Sequence, residues 1–248
     1  MSQSYLNTPA AKLYNLSKLK TGRHFRFATE HMHLHRLCQW SPYLSYEIVG
    51  EMLPVASAFK VTYELASIIG IEEETQQPIY GDRHEVEIQM TENYPQQPAI
   101  CKALTDIWHP NVKWHGKYKG RICANNKEFG KHFTIAELAL GIGEMLQYKN
   151  YHALNTPPYP EDEKVAKWVR EYAEPQGIIA LSPPKVVDEK ELKMPPDDWV
   201  SPDAEPDPDD PKGPTQLGIL KIKDIRDNQQ DRSSSSDQQD IRFKRKDP

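Results

Sequence analysis

The stretch ASAFKVTYELASII, residues 56–69, alternates apolar and polar residues and decides the fold class of this chain. Such alternation is typical of a β-strand with one buried face. The same pattern occurs in LSYEIVGEML (44–53) and RHEVEIQM (83–90), and AICKALTDI (99–107) resembles a further strand. Because the segment GIEEETQQPIYGD (70–82) between two of them has turn chemistry, we predict a four-stranded antiparallel meander.

Helical patterns flank these strands on both sides. Leucines at three-residue steps predict an N-terminal helix over 9–37, and apolar residues at helical spacing predict another over 133–148. In the second helix Thr134 and Glu137 form a capping-box pattern. A third helix is expected over 161–173. This order predicts an α+β fold, with the helices segregated from the sheet.

The composition changes after residue 182. Of the 21 prolines, 10 lie in 183–248, and 197–210 carries seven acids and no base. We therefore predict a globular domain over 1–182 and a disordered, acidic, proline-rich tail over 183–248. The alternating segment GILKIKDI (218–225) could add as an edge strand to the sheet of a partner. A partly apolar stretch of an unfolded tail is the simpler interpretation.

Composition also excludes several classes of protein. A net charge of −5 argues against a broad nucleic-acid surface, and no run of 18 apolar residues predicts a membrane span. The first twenty residues lack the apolar region of a secretory signal. Three cysteines are too few for a disulfide framework, so a reducing, cytoplasmic setting is expected. No nucleotide-binding loop motif is present.

The run IWHPNVKWHGKYKGRICANN, residues 107–126, is the most unusual of the chain. It lies between a predicted strand and a predicted helix, where functional loops are common. Cys123 is the nucleophile candidate within it, because a thiolate attacks acyl carbon well near neutral pH. The alternative is a buried, inert cysteine, which is the more common role for a cysteine taken alone.

A second histidine-rich run, HMHLHRLC, covers residues 31–38. In a strand, His31, His33 and His35 would share one face and could bind zinc together with Cys38. No second ligand cluster follows at zinc-finger spacing. A polar helix end or a loop is therefore the favoured interpretation, and neither a metal nor another cofactor is expected.

The motif HPN at 109–111, followed by GRIC at 120–123, resembles the HPN and GxIC motifs of the ubiquitin-conjugating enzymes. Upstream, NYPQQPAI (93–100) resembles the YPxxPP turn that precedes the family's last strand. Downstream, ALNTPP (153–158) resembles the segment that starts the family's next helix. The order of the motifs agrees with the family from about residue 13 to about residue 173, and together they are a specific signal.

The resemblance implies an acyl-transfer enzyme. Cys123 would accept the C-terminal glycine of a ubiquitin-like protein as a thioester from an activating enzyme, which consumes the ATP, and an amine, usually a target lysine, would then attack. Asn111 would support the loop or donate to the developing oxyanion. Six residues would shape the surrounding turns: His109, Pro110, Gly120, Ile122, Tyr94 and Pro95. The basic N-terminal helix would face the activating enzyme through Lys12, Lys18 and Lys20.

Two departures from the family pattern are visible. Cys123 follows His109 by 14 residues, about four more than is usual in the family, and the extra residues could contact the carrier protein or form a solvated hairpin tip. The position that usually holds an aspartate near the incoming lysine is His152, which could accept the amine proton or simply lie in a surface loop. Tyr148 and Tyr151 could form the walls of the lysine channel.

We therefore interpret the chain as a divergent ubiquitin-conjugating enzyme, more similar to the bacterial members that often accompany antiphage systems. Two alternatives remain open. The chain could be a non-catalytic module that binds a ubiquitin-like protein, although such modules typically lack the cysteine. It could also be a thiol hydrolase that uses Cys123 with His109, His115 or His152, which would require a cysteine and a histidine within hydrogen-bond distance.

Overall fold

The computed structural model describes residues 14, 19–51, 54–123 and 134–199. All of these residues belong to one compact unit that ends at Ser201. The strands are, in chain order, β1 Leu44–Ile48, β2 Ala58–Tyr63, β3 Ser67–Ile71, β4 Pro78–Gly81, β5 His84–Gln89, β6 Ile100–Ala103, β7 Ala180–Leu181 and β8 Pro184–Lys185. The helices are α1 Gly22–Trp40, α2 Ile135–Leu146 and α3 Glu163–Trp168, and α3 continues as a π-helical turn over Val169–Ala173.

The main sheet has four antiparallel strands in the order β1-β2-β5-β6, as the meander prediction requires. In β5 the even-numbered residues His84, Val86 and Ile88 are buried, whereas the alternate residues face outward. This two-residue period is the one that the sequence carried. The predicted α+β fold of the ubiquitin-conjugating type, with an N-terminal helix and helices after the strands, is confirmed.

One predicted strand is two strands in the structure. The stretch 56–69 breaks after Tyr63, and β3 leaves the main sheet to pair with β4. The segment 70–82, expected to be a turn, therefore contains a strand as well as a turn. Pro78 can begin β4 because the hairpin has only two strands and the proline needs no ladder partner for an N–H group.

Helix α1 begins at Gly22, so the helix predicted over 9–37 is not continuous through residues 19–21, and its part over 9–18 lies outside the described residues except for Tyr14. The side chain of Thr21 accepts a hydrogen bond from the backbone N–H of His24, which caps the helix at Gly22. Lys20 is exposed and precedes the helix, so its predicted place on a helical face is wrong. Lys12 and Lys18 lie outside the described residues.

The histidine run 31–38 lies inside α1 and not at a polar helix end or in a loop, so that interpretation is wrong. His31 is fully buried and His35 nearly so, and both imidazoles contact the hydroxyl of Tyr46 on β1. Cys38 on the same helix is also buried. Among the residues that the structure describes, no group of three His, Cys, Asp or Glu side chains is arranged to hold a metal ion.

Helix α2 has the predicted capping box. The Thr134 side chain accepts from the backbone of Glu137, and the Glu137 carboxylate accepts from the backbone N–H of Thr134. One core cluster packs α1 and α2 with the main sheet. A second cluster packs Trp108, Tyr148 and Trp168 beneath the segment that leads to the candidate site.

Residues 186–199, which the composition assigned to the tail, pack on the domain. The side chain of Leu192 lies against Gly143 of α2, and Trp199 makes an edge-on contact with Trp40 of α1. These contacts continue beyond the predicted boundary at Ser182. The disorder expected for the rest of the tail stays a prediction, because residues 200–248, with the alternating segment 218–225, lie outside the described residues. No helix in the described ranges is both long and apolar enough to cross a membrane.

Candidate active site

The two halves of the family motif lie side by side in the structure. Val112 and Ile122 form an antiparallel bridge, and the backbone N–H of Cys123 donates to the carbonyl of Asn111 at 2.9 Å. On the other side, the backbone N–H of Ile122 donates to the carbonyl of Cys101 in β6 at 3.1 Å. The segment with Cys123 is therefore held between the sheet edge and the segment with Asn111.

Gly120 is required for this arrangement. Its φ of +85° lies in the left-handed region, and a Cβ atom there would stand 2.4 Å from the carbonyl oxygen of Ala103. The backbone of Ala103 donates to the Gly120 carbonyl at 2.7 Å, so strand β6 cannot move away without losing this bond. A side chain at this position would force β6 away from the segment that leads to Cys123.

The three cysteines differ in exposure. Cys123 is half-buried, whereas Cys38 and Cys101 are buried. Burial raises the pKa of the Cys101 thiol to about 12 and raises the pKa of Cys38 as well, because a thiolate is poorly solvated there. Cys123 is thus the cysteine that a second protein can reach.

His109 supports the turn and does not face the solvent. Its Nδ1 accepts a hydrogen bond from the backbone N–H of Asn111 at 3.1 Å, and its ring packs on Tyr148. Burial lowers the pKa of His109 to about 3, with His152 contributing to the same shift. The imidazole is therefore neutral at physiological pH.

The structure brings Asn111 and His152 together. The backbone N–H of His152 donates to Oδ1 of Asn111 at 3.1 Å, and Nδ2 of Asn111 lies 3.3 Å from Nδ1 of His152. Because Oδ1 faces a donor, Nδ2 is the atom that faces the imidazole. Nδ1 of His152 must accept this bond, which leaves the ring proton of the neutral form on Nε2.

Residues next to His152 are held by the turn after α3. The hydroxyl of Tyr151 donates to the carboxylate of Glu174 at 2.6 Å, and the guanidinium of Arg170 donates to the carbonyl of Ala153. Tyr148 and Tyr151 are themselves buried, and the hydroxyl of Tyr148 donates to the carbonyl of Trp108. The prediction that these two tyrosines form the walls of the lysine channel is therefore wrong, since both side chains are buried in the second core cluster.

Glu30 joins the elements around the site and was missed by sequence reasoning. Its carboxylate lies 2.5 Å from Arg26, accepts from the hydroxyl of Tyr94 at 3.0 Å, and accepts from the backbone N–H of Ile135 at 2.7 Å. It thereby connects α1, the turn that contains Tyr94 and Pro95, and the first residue of α2. An isolated glutamate in a histidine-rich helix carries no sequence signal for this role.

The residues inserted between the two motif halves form a hairpin that is tied to the start of α3. The backbone N–H of Trp114 donates to the buried carboxylate of Asp162 at 3.0 Å, and Arg121 pairs with Glu161 at 2.6 Å. His115 lies 3.4 Å from the same Asp162. Tyr118 near the tip is half exposed. The base of the hairpin is thus fixed to its own domain, while the tip faces solvent.

Comparison with known proteins gives a family match. The family model described as "Ubiquitin-conjugating enzyme" matches residues 58–170. Among curated proteins, ubiquitin-conjugating enzyme E2 K of Homo sapiens is 28% identical over 99 residues, which is 39% of this chain and 45% of that protein. Ubiquitin-conjugating enzyme E2 21 of Caenorhabditis elegans is 29% identical over 92 residues, 36% of this chain and 39% of that protein. The chain thus spans less than half the length of either relative.

Solved structures of the same family are also similar. The E2 domain of a Toxoplasma gondii ubiquitin-conjugating enzyme is 25% identical with a TM-score of 0.41, covering 59% of this chain and 88% of that one. Ubc12 of S. cerevisiae is 18% identical with a TM-score of 0.43, covering 62% of this chain and 75% of that one.

Proposed function

We propose that this chain, which has a divergent ubiquitin-conjugating fold, carries a ubiquitin-like protein as a thioester on Cys123 and transfers it to an amine. The observation that carries the proposal is the position of Cys123. It is the half-exposed cysteine of the three, and its backbone N–H is bonded to Asn111. A nucleophile at a surface with an amide donor nearby is what an acyl carrier needs.

Loading is an exchange of thioesters. The Cys123 thiolate attacks the carbonyl carbon of the thioester that joins the carrier's C-terminal glycine to the activating enzyme. A new C–S bond forms on Cys123, the C–S bond to the activating enzyme breaks, and that enzyme's cysteine leaves as a thiolate. ATP is consumed earlier, by the partner, so no nucleotide is needed on this chain.

Discharge forms the product amide. The amine nitrogen attacks the same carbonyl carbon, the C–N bond forms, the C–S bond breaks, the Cys123 thiolate leaves, and the proton lost by the amine passes to solvent water. Asn111 supports this step by holding the loop or donating to the oxyanion. The hydrogen bond from Asn111 to Nδ1 of His152 favours an orienting role for His152. Acceptance of the amine proton by His152 stays a prediction and requires release of that bond.

The proposed partners are a ubiquitin-like protein, an activating enzyme and a target amine. Contact of the activating enzyme with Lys12, Lys18 and Lys20 stays a prediction, as do cytoplasmic location and the lack of nucleic-acid and membrane partners. Origin in a bacterial system and a role in antiphage defence also stay predictions. The genes that neighbour this one would test them directly.

The two alternatives are less well supported. A pure binding module has no use for a half-exposed cysteine at the family position. A thiol hydrolase needs an imidazole bonded to the sulfur, but the three candidate histidines have other partners: His109 and His152 contact Asn111, and His115 lies near Asp162.

The test uses the whole chain with ubiquitin, ubiquitin-activating enzyme and ATP, analysed on a non-reducing gel. We expect an adduct that a thiol reductant removes and that Cys123→Ala abolishes. Cys123→Ser should give an oxygen ester that resists the reductant, and the matched control Cys101→Ala should still load. No adduct with ubiquitin or with other ubiquitin-like proteins would favour the binding module, and rapid loss of the adduct without added amine would favour the hydrolase.

A further inference from the structure

An aromatic side chain that the family motifs do not include packs directly on His152. The rings of His152 and Tyr159 are stacked, with centroids 4.1 Å apart and planes 9° from parallel. Tyr159 is only 8% exposed, whereas His152 is partly exposed. The tyrosine is thus the more firmly packed member, and its face sets the plane in which the imidazole can lie.

The plane of the imidazole matters because of what its edge contacts. Nδ1 of His152 can accept from Nδ2 of Asn111 only when its lone pair, which lies in the ring plane, points at that nitrogen. Rotation of the ring about its bond to the chain would break this bond. The Asn111 amide would then keep only the bond from the His152 backbone to Oδ1, and its NH₂ group would have lost the partner that fixes it.

Tyr159 is itself anchored to the turn that carries Asn111. Its backbone N–H donates to the carbonyl of Thr156 at 3.0 Å. The next two N–H groups after Pro160, those of Glu161 and Asp162, donate to the carbonyl of Pro110 at 2.9 and 3.1 Å. The segment with Tyr159 is therefore hydrogen-bonded to the turn with Asn111, and the His152 side chain contacts both residues.

We propose that Tyr159 is a positioning residue that holds the His152 ring in the plane required for its bond to Asn111, and thereby orients the Asn111 amide for discharge. This inference rests on the proposed function for its catalytic consequence. The described hydrogen bonds of His152 run to the Asn111 side chain, whereas the backbone N–H of Cys123 donates to the Asn111 carbonyl. Because the stack acts on the Asn111 amide, we expect it to affect the attack by the amine and to leave loading unchanged.

The kinetic test measures the single-turnover rate at which a Cys123–ubiquitin thioester is discharged onto free lysine, in the wild type and in each variant. We expect Tyr159→Ala to lower the maximal rate about tenfold, the upper range for one aromatic stack, with loading and the KM for lysine unchanged. Tyr159→Phe keeps the ring and should stay within about twofold of wild type. Tyr172→Ala is the matched control, because Tyr172 stacks on Trp168 and not on His152.

A double-mutant cycle of Tyr159 and His152 distinguishes a positioning role of Tyr159 from a general loss of structure. In a His152→Ala background, Tyr159→Ala should cause no further decrease in discharge, because the ring that it holds is gone. Additive effects of the two substitutions would overturn the proposal. So would wild-type discharge by Tyr159→Ala, or a Tyr159→Phe variant as slow as Tyr159→Ala.

A second readout does not depend on carrier chemistry. In ¹⁵N spectra of the imidazole nitrogens, we expect His152 in wild type and Tyr159→Phe to carry its proton on Nε2, with Nδ1 as acceptor. In Tyr159→Ala the two tautomers should mix. Unchanged His152 signals in Tyr159→Ala would overturn the positioning role even if wild type forms no ubiquitin adduct, a result that would by itself contradict only the proposed function.

Discussion

Two segments of this chain have similar chemistry and opposite surroundings. Residues 31–38 and 109–123 each carry histidines and end in a cysteine. In the first, both ring nitrogens of His31 contact tyrosine hydroxyls, Tyr14 at 3.1 Å and Tyr46 at 2.7 Å, and the cysteine is buried. In the second, His109 is also buried, but His115 is exposed, and the segment returns to the surface and leaves its cysteine half-buried.

The comparison shows that residue type alone does not decide whether a cysteine and its histidines are reactive. Segment 31–38 is part of helix α1, which packs one face against the sheet. The side chains of His31, His35 and Cys38 are therefore buried.

Segment 109–123 is a turn and a hairpin, and the backbone of Ile122 and Cys123 is bonded to β6 on one side and to Asn111 on the other. The side chains of this last stretch alternate between core and solvent. This difference in surroundings predicts measurable differences in thiol reactivity, transfer and stability.

The accessibility of the thiols should differ most. We expect iodoacetamide to alkylate Cys123 in the folded protein at least about a thousandfold faster than Cys38 or Cys101, because the buried thiols react only after local opening. Mass spectrometry of peptides after timed quenching measures the three rates, and denaturation in urea should make them similar. Comparable rates for Cys38 and Cys123 in the native protein would contradict the burial described here.

Removal of the Asn111 side-chain amide should impair transfer. We expect Asn111→Ala to slow discharge onto lysine about a hundredfold while loading stays within a few fold, because a preorganised amide acts when charge develops on the oxygen. Pulse-chase discharge assays measure both steps. Asn155→Ala, an exposed asparagine in the nearby loop, is the control and should behave as wild type. Equal discharge rates in wild type and Asn111→Ala would refute the role of Asn111.

The buried histidines of both regions should make the fold sensitive to acid. Burial lowers the pKa of His31 and of His109 to about 3, whereas the unfolded chain binds these protons near pH 6.5. Stability is therefore complete above about pH 6.5 and decreases as the pH falls toward 3, by about 2 kcal/mol for each histidine at pH 5. Urea unfolding at pH 7 and pH 5 measures the loss in the free energy of unfolding. His115→Ala, at an exposed position, is the control and should show the same loss as the wild type.

The Tyr46 hydroxyl, which lies between the imidazoles of His31 and His35, should contribute less to the free energy of unfolding than the protonation of the buried histidines. Tyr46→Phe removes the partner of His31 Nε2 and of His35 Nδ1, and we expect a loss of about 1–3 kcal/mol in the free energy of unfolding. Tyr80→Phe, at a half-exposed tyrosine, should change the stability by less than about 0.5 kcal/mol. Chemical denaturation of the two variants at pH 7 makes the comparison, and equal stabilities would mean that the buried network contributes nothing.

Local patterns predicted much of the fold because they are short-range. The period of two in β5, the capping box of Thr134 and the helix after it all depend on neighbours in sequence, and all are present in the structure. The helix predicted over 9–37 does not run through residues 19–21, because the Thr21 cap begins α1 at Gly22, and the leucine spacing carried no signal for that cap. Strand β4 was missed because both β3 and β4 have weak strand patterns, and β4 forms only through its pairing with β3.

The linear chain specifies the order of the elements, the family motifs and the candidate nucleophile, because periodicity and motif spacing are properties of residues close in sequence. Packing in three dimensions buries Cys38, joins α1 to α2 through Glu30, and stacks Tyr159 on His152. Those contacts join residues that are 7 to 105 positions apart along the chain. Which distant partner a polar side chain meets depends on how the elements pack, and no local pattern encodes that.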